Sequence, residues 1–186
     1  DNIKRAIQRG SGELEGSALE EIMYEGYGPG GIAVLIETVT DNRNRTVAEM
    51  RHLLSRNGGS MAEAGAVSWN FNRMGVVTIP RTGIDEDTLM MESLDAGAED
   101  VKSDEENFEV YCPIESFEQV RKMLEEKKYN IASASLQYVP KTLMKIEQPT
   151  AEAVLKFMEA IEEHDDVQNV FSNFDIDEKV LSQIGN

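Results

Sequence analysis

Between Met74 and Tyr138 the chain alternates between two hydrophobic periods in an order that leaves few folds open. Alternating apolar residues predict strands at 74–80, about 99–104, 107–112 and 131–139. Helical spacing predicts helices at about 85–96 and 115–128, the second burying Phe117, Val120, Met123 and Leu124. The order is βαββαβ, that of a ferredoxin-like domain. Glu115 near the start of the second helix and Lys127-Lys128 at its end suit the helix macrodipole.

The flanking sequence repeats that order around the first. Strand 32–40, helix 43–57 and strand 65–72 precede it; strand 142–147, helix 150–163 and strand 167–174 follow it. A further strand, 19–27, leads in. The reading is therefore α+β, with one ferredoxin-like βαββαβ domain (73–140) inserted in another (19–72 plus 141–174). Pro80 and Pro140 stand near the two crossovers. Asp1-Asn2 caps a short helix with Ile3, Ala6 and Ile7 on one face, ended by Gly10-Ser11-Gly12. So short a helix needs a packing partner, and we expect an N-terminal segment ahead of it.

Strands 19–27 and 32–40 are joined by Gly26-Tyr27-Gly28-Pro29-Gly30-Gly31. Glycine and proline in this density make a turn. No Gly-Lys-Ser/Thr follows, so it is not a P-loop. A plain hairpin connection competes here with a ligand contact, in which Tyr24 and Tyr27 offer rings for base stacking. Beyond strand 32–40 comes Asp41-Asn42, a helix cap, and then Arg43, Arg45, Arg51 and Arg56. Arginines at a helix start oppose the macrodipole unless an anion joins them. The competing reading pairs them with the chain's own acidic groups.

Net charge is −17, unevenly spread. Residues 82–112 hold eleven acids and one lysine, whereas residues 41–81 hold six arginines, no lysine and three acids. This excludes a uniformly basic polyanion binder but allows one basic face on an acidic body. Lys4, Arg5 and Arg9 add base at the start of the chain. The acidic run 85–109 lacks the spacing and central glycine of an EF-hand loop and reads as a solvated face able to steer a basic partner.

Catalytic chemistry has little to work with. His52 lies beside Arg51, and His164 follows Glu162-Glu163 at a helix end, a position read as solvated. Cys112 has no CxxC partner and reads as a small buried side chain. We therefore expect no enzyme, no catalytic residue, no metal and no cofactor. One cysteine and no apolar window of membrane-spanning length point to a cytoplasmic protein.

The motifs Tyr24-Glu25-Gly26-Tyr27-Gly28-Pro29-Gly30-Gly31, Thr40-Asp41-Asn42-Arg43-Asn44-Arg45-Thr46, Gly58-Gly59-Ser60 and Gly65-Ala66-Val67-Ser68-Trp69-Asn70-Phe71, taken together, strongly resemble the YebC/PmpR family. The resemblance runs from residue 1 to about 180. It implies a small helical domain, whose last helix 1–12 looks like, followed by two α+β domains. Bacterial members of that family are described as cytoplasmic DNA-binding transcriptional regulators. A mitochondrial relative activates translation, and bacterial members are linked to relief of stalled ribosomes. The resemblance thus implies a nucleic-acid-binding regulator of gene expression. Its partner is DNA, or ribosomal or transfer RNA on the ribosome, with no membrane and no small-molecule substrate. Lys4, Arg5, Arg9, Tyr27, Arg43, Arg45, Arg51 and Arg56 are the candidate contacts.

Overall fold

The structure, a computed structural model, describes residues 18–184. Helix 1–12, with Lys4, Arg5 and Arg9, lies outside the described residues. The chain divides into two compact units: Asn72–Val139, and the segments up to Phe71 and from Pro140. The architecture is α+β, with two four-stranded antiparallel sheets consistent with two ferredoxin-like domains.

In the outer unit, β1 (Glu20–Tyr27) pairs antiparallel with β2 (Ala33–Thr40) in register Glu20↔Thr40 to Tyr27↔Ala33. Helix α1 (Arg43–Arg56) follows, then the short β3 (Ser60–Ala62) on the far edge of β1. Asn42 caps α1, its side chain accepting the Arg45 N–H at 3.0 Å. After the inserted unit come β8 (Met144–Ile146), α4 (Gln148–Glu162), β9 (Val167–Ser172), β10 (Phe174–Ile176) and α5 (Glu178–Ile184).

The outer sheet runs β3-β1-β2-β9. Val34 and Ile36 of β2 face one way and are sealed by Met50 and Leu54 of α1 and by Val154, Phe157 and Ile161 of α4. Each such fully buried side chain contributes on the order of 1.5–3 kcal/mol through removal from water. By register, Glu25, Tyr27 and Leu35 lie on the opposite face.

In the inserted unit the order is β4 (Phe71–Pro80), α2 (Glu86–Ala96), β5 (Asp100–Ser103), β6 (Asn107–Cys112), α3 (Phe117–Glu126) and β7 (Ser133–Pro140), with sheet order β5-β6-β4-β7. Asp85 caps α2 and accepts the Thr88 N–H at 3.2 Å; Gly97, at φ 114°, ends it. The core gathers Val77, Ile79, Leu89, Phe108, Val110, Val120 and Leu124. Cys112 is buried there, and burial pushes its thiol up to about 11.

Three local departures from the sequence pattern occur in the outer unit. The strand expected at 65–72 is instead a loop with a short 3-10 turn (Ser68–Asn70), and β4 begins only at Phe71. The N–H groups of Gly65, Val67 and Ser68 are taken by the Glu25 carboxylate, so they are not available to a ladder. The strand expected at 142–147 contracts to β8, which pairs in parallel with β10 instead of entering the main sheet. The sheet position it leaves is filled by β1. The last strand breaks at Asn173, whose Oδ1 accepts the Ala33 N–H at 2.8 Å.

Backbone conformation explains the glycines of the turn, and packing explains Gly59 beside it. Gly30 and Gly31 have φ of 76° and 83°, a region that favours glycine. A Cβ on Gly59 would collide with the Tyr27 carbonyl and approach Phe157 Cε1 to 2.6 Å. Gly59→Ala is therefore expected to push β3 off β1 and cost about 2–3 kcal/mol. A urea midpoint equal to that of the parent chain would contradict this account.

Candidate nucleic-acid interface

The two ends of β2 carry different parts of the anticipated site. Tyr27 sits at the glycine-turn end, 40% exposed. Arg43 and Arg45 sit at the other, roughly 25 Å away for an eight-residue strand at 3.3 Å per residue. The structure does not bring them together.

Both arginines are held by carboxylates. The Arg43 guanidinium meets Glu20 Oε2 at 2.9 Å. Arg45 meets Asp166 at 2.8 Å, Asp41 at 3.5 Å and Glu49 at 3.9 Å. Asp166 is almost fully buried and also accepts the Thr46 hydroxyl at 2.9 Å, and the Thr46 and Thr40 hydroxyl oxygens are 2.7 Å apart, with Thr40 free to donate to Thr46. Burial raises the pKa of the nearby Tyr24 phenol; Arg43 opposes the shift, and Asp166 and Glu20 add to it. The helix start is thus a charge-compensated joint between α1, β2 and β9.

His164 belongs to the same joint and is not a solvated helix end. Its Nε2 lies 2.7 Å from Glu49 Oε2, and its Nδ1 accepts the Asp166 N–H at 3.1 Å. Glu49, His164 and Asp166 offer ligand atoms within 4.8 Å of one another. The Arg45 guanidinium already pairs with two members of this cluster, Asp166 and Glu49, and a metal ion beside it would meet a like charge. Arg51 and Arg56, by contrast, lie exposed on α1, with no ion pair recorded among the described residues.

Sequence reasoning overlooked a second constellation, on the loop before β4. Glu25, 7% exposed, accepts the N–H of Gly65 at 2.6 Å, Ser68 at 2.8 Å and Val67 at 2.9 Å. Desolvation alone would raise its pKa; the backbone donors and the Ser68 side chain outweigh it, and the carboxyl is held below its ordinary value. On the far side of the loop Asn70, also buried, exchanges hydrogen bonds with Thr142 (3.1 and 3.3 Å) and accepts the Lys141 N–H at 2.6 Å. Between these anchors Trp69 is 67% exposed. Its indole N–H is spent within the loop, on the Ala66 carbonyl at 2.9 Å.

Two stretches of the sequence, one of which contains Trp69, are chemically distinct. In a chain of net charge −17, stretches 64–81 and 127–146 carry Arg73, Arg81, Lys127, Lys128, Lys141 and Lys145 and no acid. In the outer unit Lys141 and Lys145 are exposed, with no ion pair recorded among the described residues, and Leu143 between them is 53% exposed. In the inserted unit β4 and β7, which carry much of these two stretches, are sheet neighbours, and Arg73 lies over the Tyr138 ring at 5.8 Å.

Comparison with known proteins fixes the lineage. The family model described as the second and third domain of TACO1/YebC matches residues 19–174. The chain belongs to the TACO1/YebC family. A probable transcriptional regulatory protein of Halothermothrix orenii is 50% identical over 99% of this chain and 74% of its own length. One from Chlorobaculum tepidum is 51% identical over 98% of this chain and 73% of its own length. The crystal structure of a conserved hypothetical protein from Aquifex aeolicus superposes with a TM-score of 0.81 at 42% identity, covering 96% of this chain and 74% of that one. The names of the Halothermothrix orenii and Chlorobaculum tepidum members of the TACO1/YebC family describe probable transcriptional regulators. Among the described residues no helix is long and apolar enough to cross a membrane.

Proposed function

We propose that this chain is a nucleic-acid-binding regulator of gene expression. The observation that carries the reading is that stretches 64–81 and 127–146 of an otherwise acidic chain carry six basic residues and no acid, Lys141 and Lys145 of the outer unit being exposed. Their lysines and arginines suit phosphates, and the acidic remainder limits indiscriminate binding. The regulator names borne by the 50% and 51% identical relatives support the same reading. Arg51 and Arg56 extend the available positive charge on α1, while Arg43 and Arg45 are paired with carboxylates, Arg45 with a buried one.

Two mechanisms fall within it, action on DNA as a transcriptional regulator and action on RNA at the ribosome. One observation favours the second: the exposed rings, Trp69 and Tyr27, suit unpaired bases better than a closed duplex. The lead arginines of α1 are also committed to carboxylates instead of standing free as a duplex-reading helix would hold them.

Binding of labelled duplex DNA and labelled structured RNA, measured by fluorescence anisotropy across a salt series, tests the reading. Combined Lys141→Glu and Lys145→Glu should weaken binding on every sequence and flatten the salt slope by about two. Unchanged affinity and slope in that variant would defeat the assignment of these stretches. Co-sedimentation with ribosomes then separates the mechanisms: a protein that stays out of ribosome fractions yet protects a defined promoter acts on DNA.

A further inference from the structure

We propose that Trp69 is a stacking platform for one unpaired nucleobase, with Lys141 and Lys145 facing the adjoining phosphates. The proposal rests on the nucleic-acid reading above and names the part of the ligand that this loop takes.

Three features of the loop carry it. The ring is exposed by 67%, although tryptophan is the largest apolar side chain and usually finds cover. It is also held still. Ser68 on one side is fixed by the buried Glu25 carboxylate, and Asn70 on the other by Thr142 and Lys141. Burying a carboxylate is costly unless it is fully bonded, so the loop's position is maintained against a real penalty. Finally, the indole N–H is already bonded to the Ala66 carbonyl. What remains outward is the aromatic surface, which stacks on any base without reading its edges.

The occupant follows from charge. An apolar protein hot spot would also use an exposed tryptophan, but Asn70, next to Trp69, is bonded to Lys141, and exposed Lys145 follows beyond Leu143, with no acid in residues 64–71 or 140–146; Asp175 stands opposite Lys145 across β8 and β10. An aromatic ring beside unpaired lysines is the combination that single-stranded nucleic acid sites use. Tyr27, two residues beyond Glu25 on the same strand face, offers a second exposed ring in the outer unit.

The chain contains a single tryptophan, so its intrinsic emission reports on this site alone. Titration of the 186-residue chain with a single-stranded RNA of about twelve nucleotides should quench that emission. Trp69→Ala should weaken binding of the same RNA, followed by anisotropy of a label on it, by about tenfold or more. Trp69→Phe should retain part of the affinity, and a duplex of the same sequence should neither quench nor respond to either substitution. Both variants should keep the parent melting temperature, since the ring is exposed. If the single strand binds at physiological salt while emission stays constant and Trp69→Ala binds like the parent chain, the platform is wrong and the nucleic-acid reading survives. If the chain binds neither strand nor duplex, and a protein partner is instead lost on Trp69→Ala, both fail.

Discussion

Glu25→Ala is expected to release the loop that carries Trp69 and to lower stability by about 3 kcal/mol. Three backbone N–H groups converge on this carboxylate, and no other side-chain acceptor is recorded for them among the described residues. Hydrogen bonds to a charged acceptor contribute about 1.5–3 kcal/mol each; the sum is discounted because a freed loop regains water. Two measurements separate local release from global loss. Hydrogen exchange at Gly65, Val67 and Ser68 should accelerate sharply, and the polarisation of Trp69 emission should fall even where the sheet remains folded. Glu25→Gln should lie between, because an amide offers one acceptor oxygen in place of two. Loop amides that stay protected in Glu25→Ala would show that the anchor is elsewhere.

The same carboxylate gives a pH dependence whose sign is fixed. Its folded pKa lies below its unfolded value, so folding favours the ionised form. The contribution is fully present above the ordinary glutamate pKa of about 4.3 and is lost as pH falls through the depressed folded value. Acidification below pH ~4 should therefore loosen the loop as the alanine substitution does, and Glu25→Ala should lose that part of the acid response.

How much of this was legible in the sequence depends on how local the cause is. β2 and α1 were readable because both signals lie within their own residues: a β-branched run, then Asn42 followed by Val47, Met50 and Leu54 at helical spacing. The helices and strands of residues 74–138 were readable for the same reason. The segment Ala66-Val67-Ser68-Trp69-Asn70-Phe71 was not. Its composition suits a strand, and what prevents one is a carboxylate some forty residues earlier in the chain. The arginines fall in the same class. Their sequence neighbourhood suggests an anion site, while Asp166, the partner of Arg45, lies 121 residues away. Exposure of Trp69 depends on the same long-range bond, so no local pattern marks it as a surface residue.

Arg45→Glu is expected to cost about 2–3 kcal/mol, whereas Arg43→Glu should change stability by less than about 1 kcal/mol. Arg45 bonds a carboxylate that is only 3% exposed, and reversing its charge would set a fourth acid beside Asp41, Glu49 and Asp166. Breaking a fully buried pair costs about 3–5 kcal/mol; Arg45 is itself 38% exposed, so solvent screening reduces the figure. Arg43 and Glu20 are 61% and 47% exposed, a surface pair of small worth. Urea midpoints check both, and 1 M salt should leave most of the Arg45 effect intact because a partly buried pair is poorly screened. Equal midpoints for the two variants would mean that the α1–β9 joint contributes little to the fold. If the difference is found, a loss of nucleic-acid binding in Arg45→Glu reports on the integrity of the outer sheet and not on a contact. Arg43, Arg51 and Arg56, exposed and separable from the core, are then the arginines of α1 whose reversal reads binding directly.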